Sequence, residues 1–284
     1  MNWGFASYET RFRWVAAIWA VILTGWCFAD TNWKVRVVGA LLWVIITVVL
    51  SLRFAWWRPR SEREVPIFLL LGRRSDAGSA ADCLSLADLE VLIRNLLAAG
   101  YRFQTVTEAI VAPARKSVAM TFDGGARETL GSLLPLFQRH NVKATLFVTK
   151  AGEHEASSLK PLEIQELVRS GLIEVGGTVD PLPPDAPQEA WQEAIAHNRH
   201  WIAGVVGQLP RVFAYPQGAQ PEALQGAVRA AGYTEAMSVG RQLRPVKDAP
   251  FDIHRRLIPG NCKPWQAYLL ATRGRFSALS TPKM

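Results

Sequence analysis

From Val65 to Thr272 this chain alternates short apolar runs with segments of helical spacing, and that alternation most constrains what it can fold into. The strand-like runs are Val65–Leu71, Val118–Phe122, Ala144–Val148, Ile173–Val175, Val212–Tyr215, Thr234–Val239 and Phe251–Ile258. Leu86–Ala99 sets Leu89, Leu92, Leu96 and Leu97 on one helical face and stops at Gly100. Leu130–His140, Leu162–Arg169, Gln188–Val206, Glu222–Ala231 and Pro264–Thr272 also read as helices, and Asp180–Ala186 is a proline-rich loop. About seven βα units of this kind predict an α/β fold, a parallel sheet or barrel, with ligands at the strand C-terminal ends.

Upstream lie two apolar stretches, at about residues 14–29 and 37–57. Each is near the lower limit for a bilayer-spanning helix, roughly 17–25 residues. Trp14, Trp33, Trp56 and Trp57 stand near their ends, where amphipathic rings favour the headgroup zone. Two runs joined only by Asp30 to Arg36 predict a transmembrane helical hairpin over residues 1–60 rather than a signal peptide, with a second domain over 61–284. The alternative, two buried helices of a soluble protein, fits poorly with runs holding almost no polar groups. Arg11, Arg13, Arg53, Arg58, Arg60 and Arg63 flank the hairpin ends, against Lys34 and Arg36 in its loop. That bias predicts a two-pass protein of a bacterial inner membrane, with N-terminus and C-terminal domain cytoplasmic.

Cys27, Cys83 and Cys262 show neither a paired disulfide framework nor zinc-type spacing. The net charge of +8 owes much to the arginines beside the hairpin, and no basic and aromatic pattern points to nucleic acid.

The segment Ser117-Val-Ala-Met-Thr-Phe-Asp-Gly-Gly125 carries the most chemistry. With Ala144-Thr-Leu-Phe-Val148 it resembles the first signature of the polysaccharide deacetylases, the NodB-homology family, whose pattern is T-F-D-D-G followed by K-A-T-F-F-V. Val65–Leu71 resembles the family's opening strand, and Ala99-Gly100-Tyr101 the G-Y segment ahead of T-F-D-D-G. Ile173-Glu-Val-Gly-Gly-Thr178 resembles the second signature, E-I-G-S-H-T. Arg211-Val-Phe-Ala-Tyr-Pro-Gln-Gly218 resembles the third, F-A-Y-P-Y-G. Ala230-Ala-Gly-Tyr233 and Ile253-His-Arg-Arg-Leu257 resemble later elements. The order and spacing are similar to the subgroup acting on poly-N-acetylglucosamine-type polymers. The resemblance implies a distorted (β/α)7 barrel over about Val65 to Arg273.

The family's chemistry uses an Asp-His-His set around a divalent metal, which lowers the pKa of a bound water while a neighbouring Asp takes its proton. Here the base position is Asp123, but the ligand positions fall on Gly124, Thr178 and Leu182, none of which binds a metal well. The opening strand ends in Leu71 where relatives often carry His. The remnants are Asp123, Tyr215 and an arginine at Arg255 or Arg256. Tyr215, Arg255 and His254 are the candidate substrate contacts. His197 and His200 have i, i+3 spacing, but an exposed helix face explains them more simply. Asp180 as a replacement ligand and an Asp123–His254 acid/base pair are further alternatives. Asp123, followed by two glycines, can also serve only to hold the turn or cap the next helix.

The resulting expectation is a membrane-anchored, catalytically degenerate deacetylase-like protein with no cofactor. It would serve as an accessory subunit to a membrane polysaccharide synthase (a glycosyltransferase), with polysaccharide as a second candidate partner. The alternatives are an active deacetylase with an atypical site and a structural module that binds another protein.

Overall fold

The computed structural model describes residues 66–71, 84–125, 129–150, 158–183, 186–216, 222–240 and 246–273, with short helical pieces among residues 17–48. Eight strands run β1 (Ile67–Leu70), β2 (Arg102–Phe103), β3 (Ser117–Asp123), β4 (Ala144–Val148), β5 (Ile173–Gly177), β6 (Val212–Ala214), β7 (Glu235–Val239) and β8 (Ile253–Leu257). Every pairing is parallel. β3 to β8 pair in sequence order, and β1 closes the ring by pairing with both β3 and β8. The result is a closed seven-stranded barrel, with β2 added to the first residues of β3. Closure is uneven: β4 and β5 pair at five positions, β5 and β6 only at Gly177 and Phe213.

Helices wrap the outside. α1 (Leu86–Ala98) starts at Ser85, whose hydroxyl accepts from the Asp88 amide, and buries Leu89, Leu92, Ile93 and Leu96. Such a cap supplies a partner that the first helical turn lacks. α2 is Val106–Val111. A π-helical turn, Thr129–Leu133, leads into α3 (Leu134–His140), which ends at Asn141 in the left-handed region with φ 49°. α4 (Pro161–Arg169) has proline in its first turn, where no backbone donor is lost. α5 (Gln188–Val206) stops at Gly207, φ 80°. α6 (Glu222–Ala230) and α7 (Pro264–Arg273) complete the shell.

The strand pleat divides the core. Phe68, Ala119, Phe147, Val212, Ala214, Met237 and Ile253 fill the barrel, with Val106 and Ala109 of α2 packed among them. Ile67, Leu69, Val118, Met120, Leu146 and Val175 face outward against α1, α3, α4 and α7. Phe213 and Tyr215 face α5 and α6. Phe147 reaches the barrel centre because Gly176 leaves room: a Cβ there would lie 2.5 Å from the Phe147 ring and 2.9 Å from the Val212 carbonyl.

Two elements are absent from the sequence reading, β2 and α2. A six-residue helix is too short to show periodicity, but it had a local signal. Thr105 and Glu108 form a reciprocal capping box, the T-x-x-E pattern. The barrel holds this helix in place: the Thr145 hydroxyl accepts from the Val106 amide at 2.9 Å, and Glu174 accepts from the Thr107 amide at 3.1 Å. Two polar side chains on β4 and β5 thereby find partners at the barrel's N-terminal end.

The predicted hairpin spans, residues 14–29 and 37–57, lie largely outside the described residues. Among the described residues no helix is long and apolar enough to cross a membrane. Residues 37–46 are helical, with Val37, Leu41 and Ile45 about half exposed or more.

Candidate active site at the barrel mouth

β3 delivers Asp123 to its C-terminal end, where the chain turns through Gly124 and Gly125 at φ 94° and 60°. Both angles lie where a side chain is strained, so the two glycines suit this turn. Both oxygens of the Asp123 carboxylate accept from Arg255 of β8. Arg255 Nη1 donates to Oδ1 at 2.5 Å and Nη2 to Oδ2 at 2.9 Å, a bidentate clamp. Arg255 Nη1 also donates to the Thr121 hydroxyl at 3.2 Å, and that hydroxyl donates to the Leu69 carbonyl at 2.8 Å. The guanidinium lies 5.3 Å from the Phe147 ring centroid, within cation–π range. Arg255 is fully buried, and its Nε has no partner among the described residues. Asp123 keeps 16% of its side-chain surface open.

The pleat decides between the two arginines. Arg255 points into the barrel, while Arg256 points out and donates to the Ala271 carbonyl of α7 at 2.6 Å. His254 shares the outward side. Its Nε2 lies 3.2 Å from Asp252 Oδ1, which also accepts from the Ser238 hydroxyl at 2.7 Å. The ring sits over Gly240, where a Cβ would come within 2.4 Å of Nδ1. Tyr215 is buried in the layer between barrel and helices, and its hydroxyl donates to the Phe251 carbonyl at 3.0 Å. Burial, with Asp252 adding to it, raises its phenol pKa well above the ordinary 10.0. The structure therefore joins Asp123 and Arg255, while Tyr215 and His254 engage other groups. Asp123 and His254 are not paired with each other in it.

The positions matching the family's metal ligands do not offer a donor set. Gly124 has no side chain. The Thr178 hydroxyl is spent on the Ala214 carbonyl at 2.9 Å, across the weak β5–β6 seam. Leu182 is half-buried and apolar. Leu71 is buried and aliphatic. His197 and His200 are exposed on α5, and the His197 ring meets Lys150 Nζ at 3.1 Å. Asp180 is exposed. Among the described residues no three His, Cys, Asp or Glu side chains are grouped to hold a metal. The described positions that match those ligands, Gly124, Thr178 and Leu182, do not supply a donor set for a divalent ion.

One residue at this end has no counterpart in the sequence reading. Asn198 of α5 is buried, donates to the carbonyls of Val148 (3.1 Å) and Thr178 (2.7 Å), and accepts from the Lys150 amide at 2.7 Å. It ties together the ends of β4 and β5. A single buried Asn on the inner face of a long amphipathic helix was the only signal available.

A carboxylate has about four acceptor sites, and Arg255 takes two. Asp123 can thus still accept a proton or a hydrogen bond from a molecule at the mouth. Among the described residues no group of metal ligands stands at the mouth to acidify a water.

The polysaccharide deacetylase family model matches residues 111–236. YxkH of Bacillus subtilis (strain 168), which carries a provisional polysaccharide deacetylase name, is 24% identical over 170 residues, 57% of this chain. That match spans 61% of YxkH, less than two thirds of its length. Deacetylase PplD of Streptococcus pyogenes superposes with a TM-score of 0.63 at 16% identity, covering 73% of this chain and 96% of PplD. IcaB from Ammonifex degensii gives 0.62 at 22%, covering 74% and 99%. BC0361, a polysaccharide deacetylase from Bacillus cereus, gives 0.62 at 17%, covering 71% and 67%. These structures share the fold. The family match runs from the end of α2 to the start of β7, with Asp123 at the end of the strand that carries the first signature, so over residues 111–236 the chain is similar to the polysaccharide deacetylases and shares their fold.

Proposed function

We propose that this protein is a catalytically degenerate member of the polysaccharide deacetylase family, anchored by the N-terminal apolar hairpin and serving as an accessory subunit to a membrane polysaccharide synthase. The observation that carries the first part is the mouth of the barrel. Its ligand positions are Gly124, a Thr178 whose hydroxyl is engaged, and Leu182, and its base-position carboxylate is clamped by a buried arginine. A mouth with a proton acceptor but, among the described residues, no ligand set to hold a water-activating metal supports the loss of the larger part of the family's chemistry. The anchor is supported by the length and apolarity of the two stretches and by their flanking tryptophans and arginines. A barrel held at the cytoplasmic surface would lie beside the catalytic domain of a synthase that exports its polymer. There it would stabilise that enzyme or shape access to it, with any sugar held at the mouth by Asp123.

The test is direct. The full chain, purified in detergent, is expected to carry no stoichiometric divalent metal and to release no acetate from chito-oligosaccharides, with or without added zinc, cobalt or nickel. Gly124→Asp alone is expected to stay inactive, because no histidine stands at Thr178 or Leu182. Near-stoichiometric metal with turnover abolished by Asp123→Asn would instead establish the second reading, an active deacetylase with an atypical site, which the retained Asp123 favours. For the accessory role, native-membrane pull-down is expected to recover a glycosyltransferase, and gene deletion to lower exopolysaccharide output. An unchanged output with solitary purification refutes that role.

A further inference from the structure

A groove of about 720 Å³ opens at the N-terminal end of the barrel, opposite Asp123, beside α2. Its cations are Arg102, Lys143 and Arg211. Their placement follows from topology: Arg102 begins β2, Lys143 directly precedes β4, and Arg211 directly precedes β6. Because all strands are parallel, these residues share one end of the molecule. Lys143 Nζ pairs with Glu108 at 2.5 Å, and Arg211 meets Glu235 at 3.5 Å, so both cations are half-neutralised and still exposed. Two apolar side chains stand out at the same end: Val111, lining the groove, is 63% exposed, and Leu209, two residues before Arg211, is 49% exposed. Cations interleaved with projecting aliphatic groups fit a bilayer surface, where headgroup phosphates take the charge and the interface takes the aliphatic tips.

The chain's own connectivity selects this occupant. β1 enters the barrel at this same end, at Ile67. Only residues 58–66 separate it from the end of the second apolar stretch, and nine residues reach at most about 30 Å. We infer that the barrel's N-terminal face lies on the anionic bilayer surface, with Arg102, Lys143 and Arg211 against lipid phosphates and the Asp123 mouth pointing away from the membrane. This rests on the anchored reading above. It goes beyond that reading by fixing orientation. β3 rises roughly 20 Å from Ser117 to Asp123, so the mouth faces a partner's soluble domain rather than lipid.

The two ends of β4 provide the test, since Lys143 precedes it and Lys150 follows it. The full chain is assembled in nanodiscs of phosphatidylcholine alone, or with one quarter phosphatidylglycerol. Lysine acylation by an amine-reactive ester is then read by mass spectrometry. Anionic discs are expected to slow acylation of Lys143 on the order of fivefold, the worth of one basic residue near such a surface, and to leave Lys150 unchanged. Arg102→Glu with Arg211→Glu is expected to abolish that protection while Lys150 stays as before. Equal Lys143 labelling in both discs, or protection of Lys150 instead, overturns the orientation. Protection by millimolar inorganic phosphate in detergent alone would make the groove a free-anion site and overturn the assignment to a bilayer. Failure of the chain to co-purify with discs at all would instead remove the anchored reading, and this inference with it.

Discussion

Removing the Asp123 carboxylate is the sharpest test of how the barrel mouth is built. In Asp123→Ala, Arg255 would remain fully buried with its charge uncompensated. It would keep only the Thr121 hydroxyl at 3.2 Å and the Phe147 ring face at 5.3 Å. Breaking one partner of a buried pair typically costs about 3–5 kcal/mol. Asp123 is 16% exposed, so water can enter the vacated space and the low end applies, about 3 kcal/mol. For a domain of this size each kcal/mol moves Tm by roughly 2–4 °C, giving a drop of about 6–12 °C. Urea unfolding of the full chain in detergent, followed by the fluorescence of Trp191 and Trp201 on α5, reads this out. Arg255→Met added to Asp123→Ala removes the stranded charge and is expected to restore much of the loss. If Asp123→Ala costs less than about 1 kcal/mol, or if the double variant is worse than the single, the pair is not the structural tie described here.

The other expectations follow from the same packing. Asn198→Ala removes hydrogen bonds to three backbone groups, the carbonyls of Val148 and Thr178 and the half-buried Lys150 amide, of which the Val148 carbonyl keeps its bond from the Thr178 amide, and is expected to cost about 2 kcal/mol in urea unfolding; a negligible loss would mean water replaces the side chain. Gly177→Ala puts a Cβ 2.0 Å from the Tyr233 hydroxyl and is expected to cost roughly 1–3 kcal/mol. Tyr233→Phe is expected to recover part of this, since that hydroxyl has no partner among the described residues. Glu90 on α1 is held below its ordinary 4.5, first by its hydrogen bond to His140, against which desolvation acts, and then by Arg139. A depressed carboxyl stabilises the fold above that value and loses its contribution as pH falls through the folded one. Glu90→Gln is therefore expected to lower Tm slightly near neutrality, where the charged form contributes, and to flatten the acid limb of a Tm-against-pH curve so that the two proteins converge at low pH.

Much of the molecule was legible in one dimension because its determinants are local. Apolar runs of strand length, helical spacing with Gly100, Gly171 and Gly232 as stops, and the Thr121-Phe122-Asp123 segment mark a parallel α/β fold. That position 124 offers no ligand side chain was equally readable, because glycine lacks one wherever it stands. The hairpin rests on sequence alone: its apolar runs and flanking arginines are chemical facts of the chain, and the described residues add little to them. Tertiary structure decided what depends on partners far apart in sequence. Asp123 and Arg255 are 132 residues apart, and no local rule joins them. The choice of Arg255 over Arg256 came from strand register, which sends neighbouring side chains to opposite faces. Register likewise sent His254 to Asp252 and Tyr215 to the Phe251 carbonyl, away from the arginine clamp. Closure of the ring needed β1 to find both β3 and β8, and the barrel floor needed Thr145 and Glu174 to meet a helix too short to announce itself by periodicity. Sequence sets which groups are available. Only the closed barrel, by setting the distances between them, decided that Asp123 is tied to Arg255.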